Sequence, residues 1–151
     1  MTGFLIILLL FVPPAPYLLY AIKQVELAVR AQLDERVKSA GVTVPQYTAL
    51  TVLARRDGVT SAELARLSFV TPQSMGDLVT ALARRGLITR EADPGHGRRL
   101  LIRLSDTGRE LLTELEPAVR RVERDMLRGL SGVERRQLRE LLNRCRTSLA
   151  G

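Results

Sequence analysis

From Tyr17 to Leu149 the apolar residues recur mostly at three- and four-residue intervals, the spacing that gathers them on one face of a helix. Leu18, Ile22, Val25, Val29, Leu33 and Val37 predict a first helix, started by Pro16 and ended by Gly41. Pro45 opens a second, with Tyr47, Leu50 and Leu53 inward and Arg55 to Gly58 closing it. Thr60 or Ser61 can cap a short third helix through Leu64 and Leu67, with Glu63 in its first turn. A fourth has both ends marked: Thr71 offers a capping hydroxyl, Pro72 suits the first helical position and Gly86 supplies a left-handed stop. Its buried stripe is Met75, Leu78, Val79 and Leu82, which leaves Gln73, Ser74, Asp77, Thr80, Ala81 and Arg84 outward.

The periodicity then changes. Leu87 to Glu91 and Leu100 to Leu104 read as two short strands, joined by a loop from Ala92 to Arg99 that contains Pro94, Gly95 and Gly97. Helical spacing resumes when Ser105 or Asp106 caps a long helix with Leu111, Leu115, Val119, Val122 and Met126 on one face. Pro117 lies inside it and is expected to kink or locally open it. After Leu130-Ser131-Gly132 a last helix aligns Leu138, Leu141, Leu142, Cys145 and Leu149. The fold class expected is mainly α with a small β-hairpin: a winged helix-turn-helix with further helices at each end.

Length and composition are those of one soluble unit: 151 residues, 46% apolar and 26% charged. The net charge of +7 is unevenly spread, because residues 84–103 hold six basic and two acidic side chains while residues 104–151 hold ten and eight. The middle stretch reads as an electrostatic footprint for phosphate; drifting surface charge in an arginine-rich chain is the alternative. Cys145 is the only cysteine and His96 the only histidine, which excludes a disulfide within the chain and a Cys/His metal cluster. With no Gly-rich phosphate loop, nucleophile elbow or distinct carboxylate pair, neither an enzyme nor a cofactor is expected.

Outward Gln73 and Ser74 suit a helix entering the major groove, since Gln pairs with adenine edges and Ser contacts several bases. The first turn of that helix also directs free backbone N–H groups at phosphate. A hairpin after it is a wing, and Arg98 and Arg99 at its tip suit the narrow, negative minor groove.

The stretch from about Pro45 to Leu104 resembles the MarR family of bacterial transcription regulators, and the order of elements extends the likeness over residues 17–149. It is carried by Pro45-Gln46-Tyr47, the helix Ala62-Glu63-Leu64-Ala65-Arg66, Thr71-Pro72-Gln73-Ser74-Met75, Arg85-Gly86-Leu87-Ile88, Asp93-Pro94 with Arg98, and Leu104-Ser105-Asp106-Thr107-Gly108. The resemblance implies a homodimer on a pseudo-palindromic double-stranded DNA site, usually a repressor released by a small ligand or by oxidation. Two positions depart from the pattern. Gly76 and Asp77 stand where the family often has Ser or Thr followed by Arg, and His96 stands where a second Asp commonly steadies the wing arginine. Arg98 is therefore expected to be less fixed.

The expected organisation is an apolar extension over residues 1–16, dimerisation helices over 17–44 and 105–151, and a DNA-binding region over 45–104. The DNA-binding residues expected are Thr71, Gln73, Ser74, Asp77, Arg84, Arg85, Arg90, Arg98 and Arg99. Two-fold pairing would bury helix stripes too long for so small a monomer. A winged helix that binds protein, its basic wing a bystander, is the competing class. Phe4 to Val12 is an unbroken run of nine apolar residues, too short to span a bilayer, which takes roughly 20. It reads as an extension packed on a partner subunit or a start assigned too early, with membrane association or a weak signal as the other readings. A cytoplasmic protein with no membrane partner is expected. Cys145, on an apolar face, is expected to serve packing rather than redox sensing.

Overall fold

A computed structural model of the chain describes residues 17–149 apart from Asp57. The six helices are α1 (Leu18–Lys38), α2 (Val44–Arg55), α3 (Ser61–Leu67), α4 (Pro72–Arg84), α5 (Asp106–Met126) and α6 (Gly132–Leu149), with strands β1 (Ile88–Asp93) and β2 (His96–Leu104) between α4 and α5. Local side-chain chemistry starts most of them. Thr43 accepts from the Gln46 N–H while the Gln46 side chain accepts from the Thr43 N–H, a reciprocal box that opens α2 one residue before Pro45. Thr60, Thr71 and Ser105 cap α3, α4 and α5 through their hydroxyls, at 3.2, 3.1 and 3.0 Å from the N–H groups of Glu63, Ser74 and Gly108. Ser105, one of the two expected caps, starts α5, α6 begins at Gly132, one residue earlier than expected, and α5 continues through Pro117 as one element.

The core sits where α2, α3 and α4 meet the base of the hairpin and the first half of α5. Leu50, Leu64, Met75 and Leu82 are fully buried there, each contributing roughly 2 kcal/mol relative to exposure. Along α1 the apolar stripe enters this core only at its end: Leu18, Ile22 and Val25 are exposed, Val29 and Leu33 half-buried, and Val37 buried. No residue of α6 is buried. Cys145 is exposed, so within one chain it does not serve the packing expected of it.

The hairpin differs from the one expected. Its strands run to Asp93 and start again at His96, so the turn is only Pro94-Gly95 and Arg98 and Arg99 lie within β2 rather than in a loop. The register explains why composition misled: Ala92 pairs with Leu100 but Asp93 pairs with His96, so Gly97, Arg98 and Arg99 are extra residues that widen the tip. Beyond the hairpin, Val59 exchanges backbone hydrogen bonds with Ile102 at 2.8 and 3.2 Å, which ties the entry to α3 to the base of the wing. The expectations for residues 1–16 lie outside the described residues.

Two contacts fasten the exit of α4 to the long helices. At the first, the Ser105 hydroxyl donates to the Gly86 carbonyl at 2.6 Å while the Ser105 N–H donates to the Leu87 carbonyl at 3.2 Å. The Gly108 backbone lies so close that a Cβ there would stand 2.3 Å from the Leu87 oxygen and 2.6 Å from a Leu104 methyl. At the second, the Arg85 guanidinium donates to the Ala40 and Gly41 carbonyls just beyond α1. Gly108 and Gly76 are both helical glycines, but a Cβ on Gly76 would meet nothing within 4 Å. Replacing them is expected to act with opposite sign. Gly108→Ala forces backbone apart and should cost roughly 1–3 kcal/mol, whereas Gly76→Ala only restricts the unfolded chain and should add up to about 1 kcal/mol. Denaturant melts of the two variants against the parent protein check both signs.

Candidate nucleic-acid interface

The outward face of α4 starts with its cap. Thr71 is spent on geometry: its oxygen accepts from the Ser74 N–H, and its hydroxyl proton goes to Ser74 Oγ at 2.8 Å. Ser74 thereby has its acceptor side occupied and its own O–H left to donate outward, toward a base or phosphate acceptor. Gln73 is exposed beside it, with the amide donor and acceptor that an adenine edge requires. Asp77 is exposed on the same helix, and no arginine among the described residues pairs with it. A carboxylate so placed repels phosphate and accepts only from a donor such as a cytosine amino group.

One turn further, the Thr80 hydroxyl donates to the Gly76 carbonyl at 2.9 Å and accepts from Arg90 at 3.3 Å. This links β1 to the outer surface of α4, so Arg90 joins helix and wing rather than standing apart from both. Arg84, at the C-terminal end of α4, is exposed and has no partner among the described residues.

Arg85 requires a correction. Sequence alone does not distinguish it from Arg84, but its guanidinium is directed back to the carbonyls of Ala40 and Gly41. Two of its N–H groups are held by these carbonyls, so Arg85 serves first as a packing tie, and only its remaining, exposed N–H groups are open to phosphate.

In the wing, Asp93 does not steady Arg98. One of its oxygens accepts from the Gly95 N–H at 2.9 Å, which closes the turn, and the other lies 3.7 Å from His96 Nδ1. Arg98 and Arg99 are exposed with no carboxylate partner among the described residues. The arginine below them is engaged instead: Arg103 donates to Glu91 at 3.0 Å across the hairpin. Pairing at the base and none at the tip leaves the positive charge where it projects furthest.

A second feature was not legible in the chain. Tyr47, Thr51, Ala54 and Arg55 of α2 and Leu112, Thr113 and Glu116 of α5 line a cavity of about 220 Å³. Burial pushes the Tyr47 phenol above its ordinary value, against the opposing pull of Arg55 and with Glu116 adding to the rise. The sequence places Tyr47 in the core and Arg55 at a helix terminus, because only the packing of α2 on α5 brings them together.

Residues 40–99 match the model of the MarR family. The chain is 32% identical over 131 residues to the HTH-type transcriptional repressor Rv2887 of Mycobacterium tuberculosis, covering 87% of this chain and 92% of that one. A probable transcriptional regulator from Pseudomonas aeruginosa has the same architecture in its crystal structure, with a TM-score of 0.76 and 33% identity over 86% of this chain and 97% of that one. The crystal structure of Rv2887 in complex with salicylic acid aligns with a TM-score of 0.72 and 31% identity, over 88% of this chain and 98% of that one. With a winged helix-turn-helix shared along almost the full length of such relatives, the chain belongs to the MarR family and is a transcription regulator.

Proposed function

We propose that the protein is a cytoplasmic homodimeric repressor that binds a pseudo-palindromic duplex site and is released from it by a small-molecule ligand. The observation that carries this reading is the division of the interface: unpaired Arg98 and Arg99 at the wing, with small polar Gln73 and Ser74 at the entering end of α4. The wing and Arg84 then hold phosphate and minor groove, Arg90 and Thr71 hold the helix and wing in position, and Gln73, Ser74 and Asp77 discriminate bases. Catalysis plays no part in it.

The dimer is supported by apolar surface that one chain leaves uncovered. Tyr17, Leu18 and Leu19 of the N-terminal end are 81, 72 and 79% exposed, and Leu141 and Leu142 of α6 are 54 and 49% exposed. Between α1 and α5 lies a groove of about 470 Å³ with Val25, Ala28, Val29, Val122 and Met126 in its lining and Gln32, Asp125 and Arg128 beside them. Two copies joined there would present two α4 helices with the symmetry of an inverted repeat. Among the described residues no helix is long and apolar enough to cross a membrane, which agrees with a protein working where the DNA is.

The repressor sign follows the curated relative, and a ligand-released mode follows the salicylic acid bound to Rv2887. The cavity between α2 and α5 suits a small aromatic acid, with Arg55 for a carboxylate and Tyr47 for ring contact and a hydrogen bond. Glu116, which would repel such an acid, is engaged by Arg120.

Three outcomes are expected. Light scattering at micromolar concentration gives the mass of a dimer, and a monomer would overturn the two-fold reading. Affinity for a duplex selected from random sequence falls steeply with added salt, and the Arg98→Ala, Arg99→Ala double variant loses roughly one to two phosphate contacts from the slope of that dependence. Millimolar salicylate weakens binding by the parent protein and leaves binding by Arg55→Ala unchanged. Salt-insensitive binding without sequence preference would sink the DNA-reading assignment itself.

A further inference from the structure

We infer that Phe69, in the turn between α3 and α4, is a DNA contact that recognises thymine by packing its ring on the C5-methyl group. The inference rests on the DNA-reading function proposed above and adds a residue that neither the caps nor the charges of the interface reveal.

Phe69 combines two features that oppose each other in a folded chain. Its backbone is left-handed, φ +58°, the one non-glycine residue in that state among the described residues. The cause lies in how α3 ends: the Val70 N–H reaches back to the Ala65 carbonyl at 3.1 Å, an arrangement in which the residue between takes positive φ and glycine is preferred. Its ring is also 90% exposed, more than any other large apolar side chain described. A phenylalanine at such a position carries backbone strain and hydrates its ring, and the core returns nothing for either, since only the neighbouring Val70 packs there.

Position decides the partner. The other exposed large apolar residues lie at the start of α1, at the end of α5 and on α6, the surfaces assigned above to a second copy, or on the wing at Leu100. Phe69 lies on none of these, because α3 and α4 pack against α2 and the hairpin. It stands two residues before Thr71, the cap of α4, on the side of the chain from which Gln73 and Ser74 begin. A helix that inserts its N-terminal turn into the major groove carries the preceding turn to the edge of that groove. The apolar group presented there is the thymine methyl, and phenylalanine is among the side chains that pack on it. The left-handed backbone sets the direction of the Cα–Cβ bond, and the partly buried Val70 beside it anchors the turn.

The test uses the full chain and the tightest duplex that the parent protein selects from random-sequence DNA. Phe69→Gly keeps the left-handed turn and should melt at or above the parent temperature while remaining of the same mass in solution. It should bind the selected duplex roughly five- to thirtyfold more weakly, about the cost of one mismatched base pair, and bind random duplex as the parent does. Replacing thymines one at a time by deoxyuridine removes the methyl alone. At one position or more of each half-site the parent should lose affinity and Phe69→Gly should not. Phe69→Asn, which also tolerates positive φ, should reproduce the loss if the glycine variant folds poorly. The inference is overturned if either folded variant binds the selected duplex as tightly as the parent, if every methyl deletion affects parent and variant equally, or if the variants dissociate into monomers. A parent protein that selects no sequence overturns the DNA-reading function as well, an outcome distinct from all of these.

Discussion

At the junction of wing and long helix, the carbonyl of Leu87 and the backbone of Gly108 meet at a distance no side chain could share, 2.3 Å from where a Cβ would stand. Everything that positions the interface depends on this approach. Ser105 caps α5 and in the same place bonds the Gly86 carbonyl, so the end of α4, the start of β1 and the first turn of α5 move as one body. Arg85 then ties that body to the end of α1. α1 and α6, which carry most of the exposed large apolar residues described, thus relate to the recognition helix differently: α1 is clamped to its exit by Arg85, whereas α6 follows it in the chain through α5.

Much of this was legible in the chain because its causes are local. A threonine or serine three residues before an N–H it can accept from is a signal contained in one turn. Thr60, Thr71 and Ser105 each do what their position suggested. The stripe of α4 likewise needs only its own periodicity, and Met75, Leu78, Val79 and Leu82 are all buried. The failures share a different origin. Pro94, Gly95 and Gly97 suggested a long loop, but the partner of Ala92 is Leu100 and the partner of Asp93 is His96, a pairing set across the ladder and not along it. Arg84 and Arg85 are chemically identical neighbours, and only the distant carbonyls of Ala40 and Gly41 tell them apart. Cys145 shares the helical stripe of Leu138 and Leu142, but among the described residues none of that stripe is buried.

The proposed interface separates two tasks that basic recognition helices combine. With Gly76 and Asp77 at its centre, α4 brings no positive charge to the middle of the groove. Long-range attraction must then come from the wing tip and from Arg84, and it is screened by salt. In the proposed reading, discrimination falls to short polar groups beside the cap, such as Ser74, whose hydroxyl Thr71 already engages. Such a division tolerates change in the wing without altering which sequence is preferred. It also makes sequence preference sensitive to anything that rotates α4 by a fraction of a turn.

That sensitivity gives the cavity between α2 and α5 its significance for the proposed ligand release. A ligand shifts an equilibrium only by the difference in its affinity for the two arrangements, so the site must change shape when the DNA-bound spacing is lost. The cavity meets this condition by where it lies: one wall, Tyr47 to Arg55, belongs to the helix that packs on α3 and α4, and the other, Leu112 to Glu116, lies one to two turns beyond Gly108 on α5. In the proposed release, widening or closing it would alter the angle between the three-helix unit and α5. In that release, the close Leu87–Gly108 approach at the other end of that lever would pass the change on to α4. A bulkier residue at 108 would loosen this junction as well as destabilise it, and in the proposed release it would weaken the coupling between the ligand site and α4.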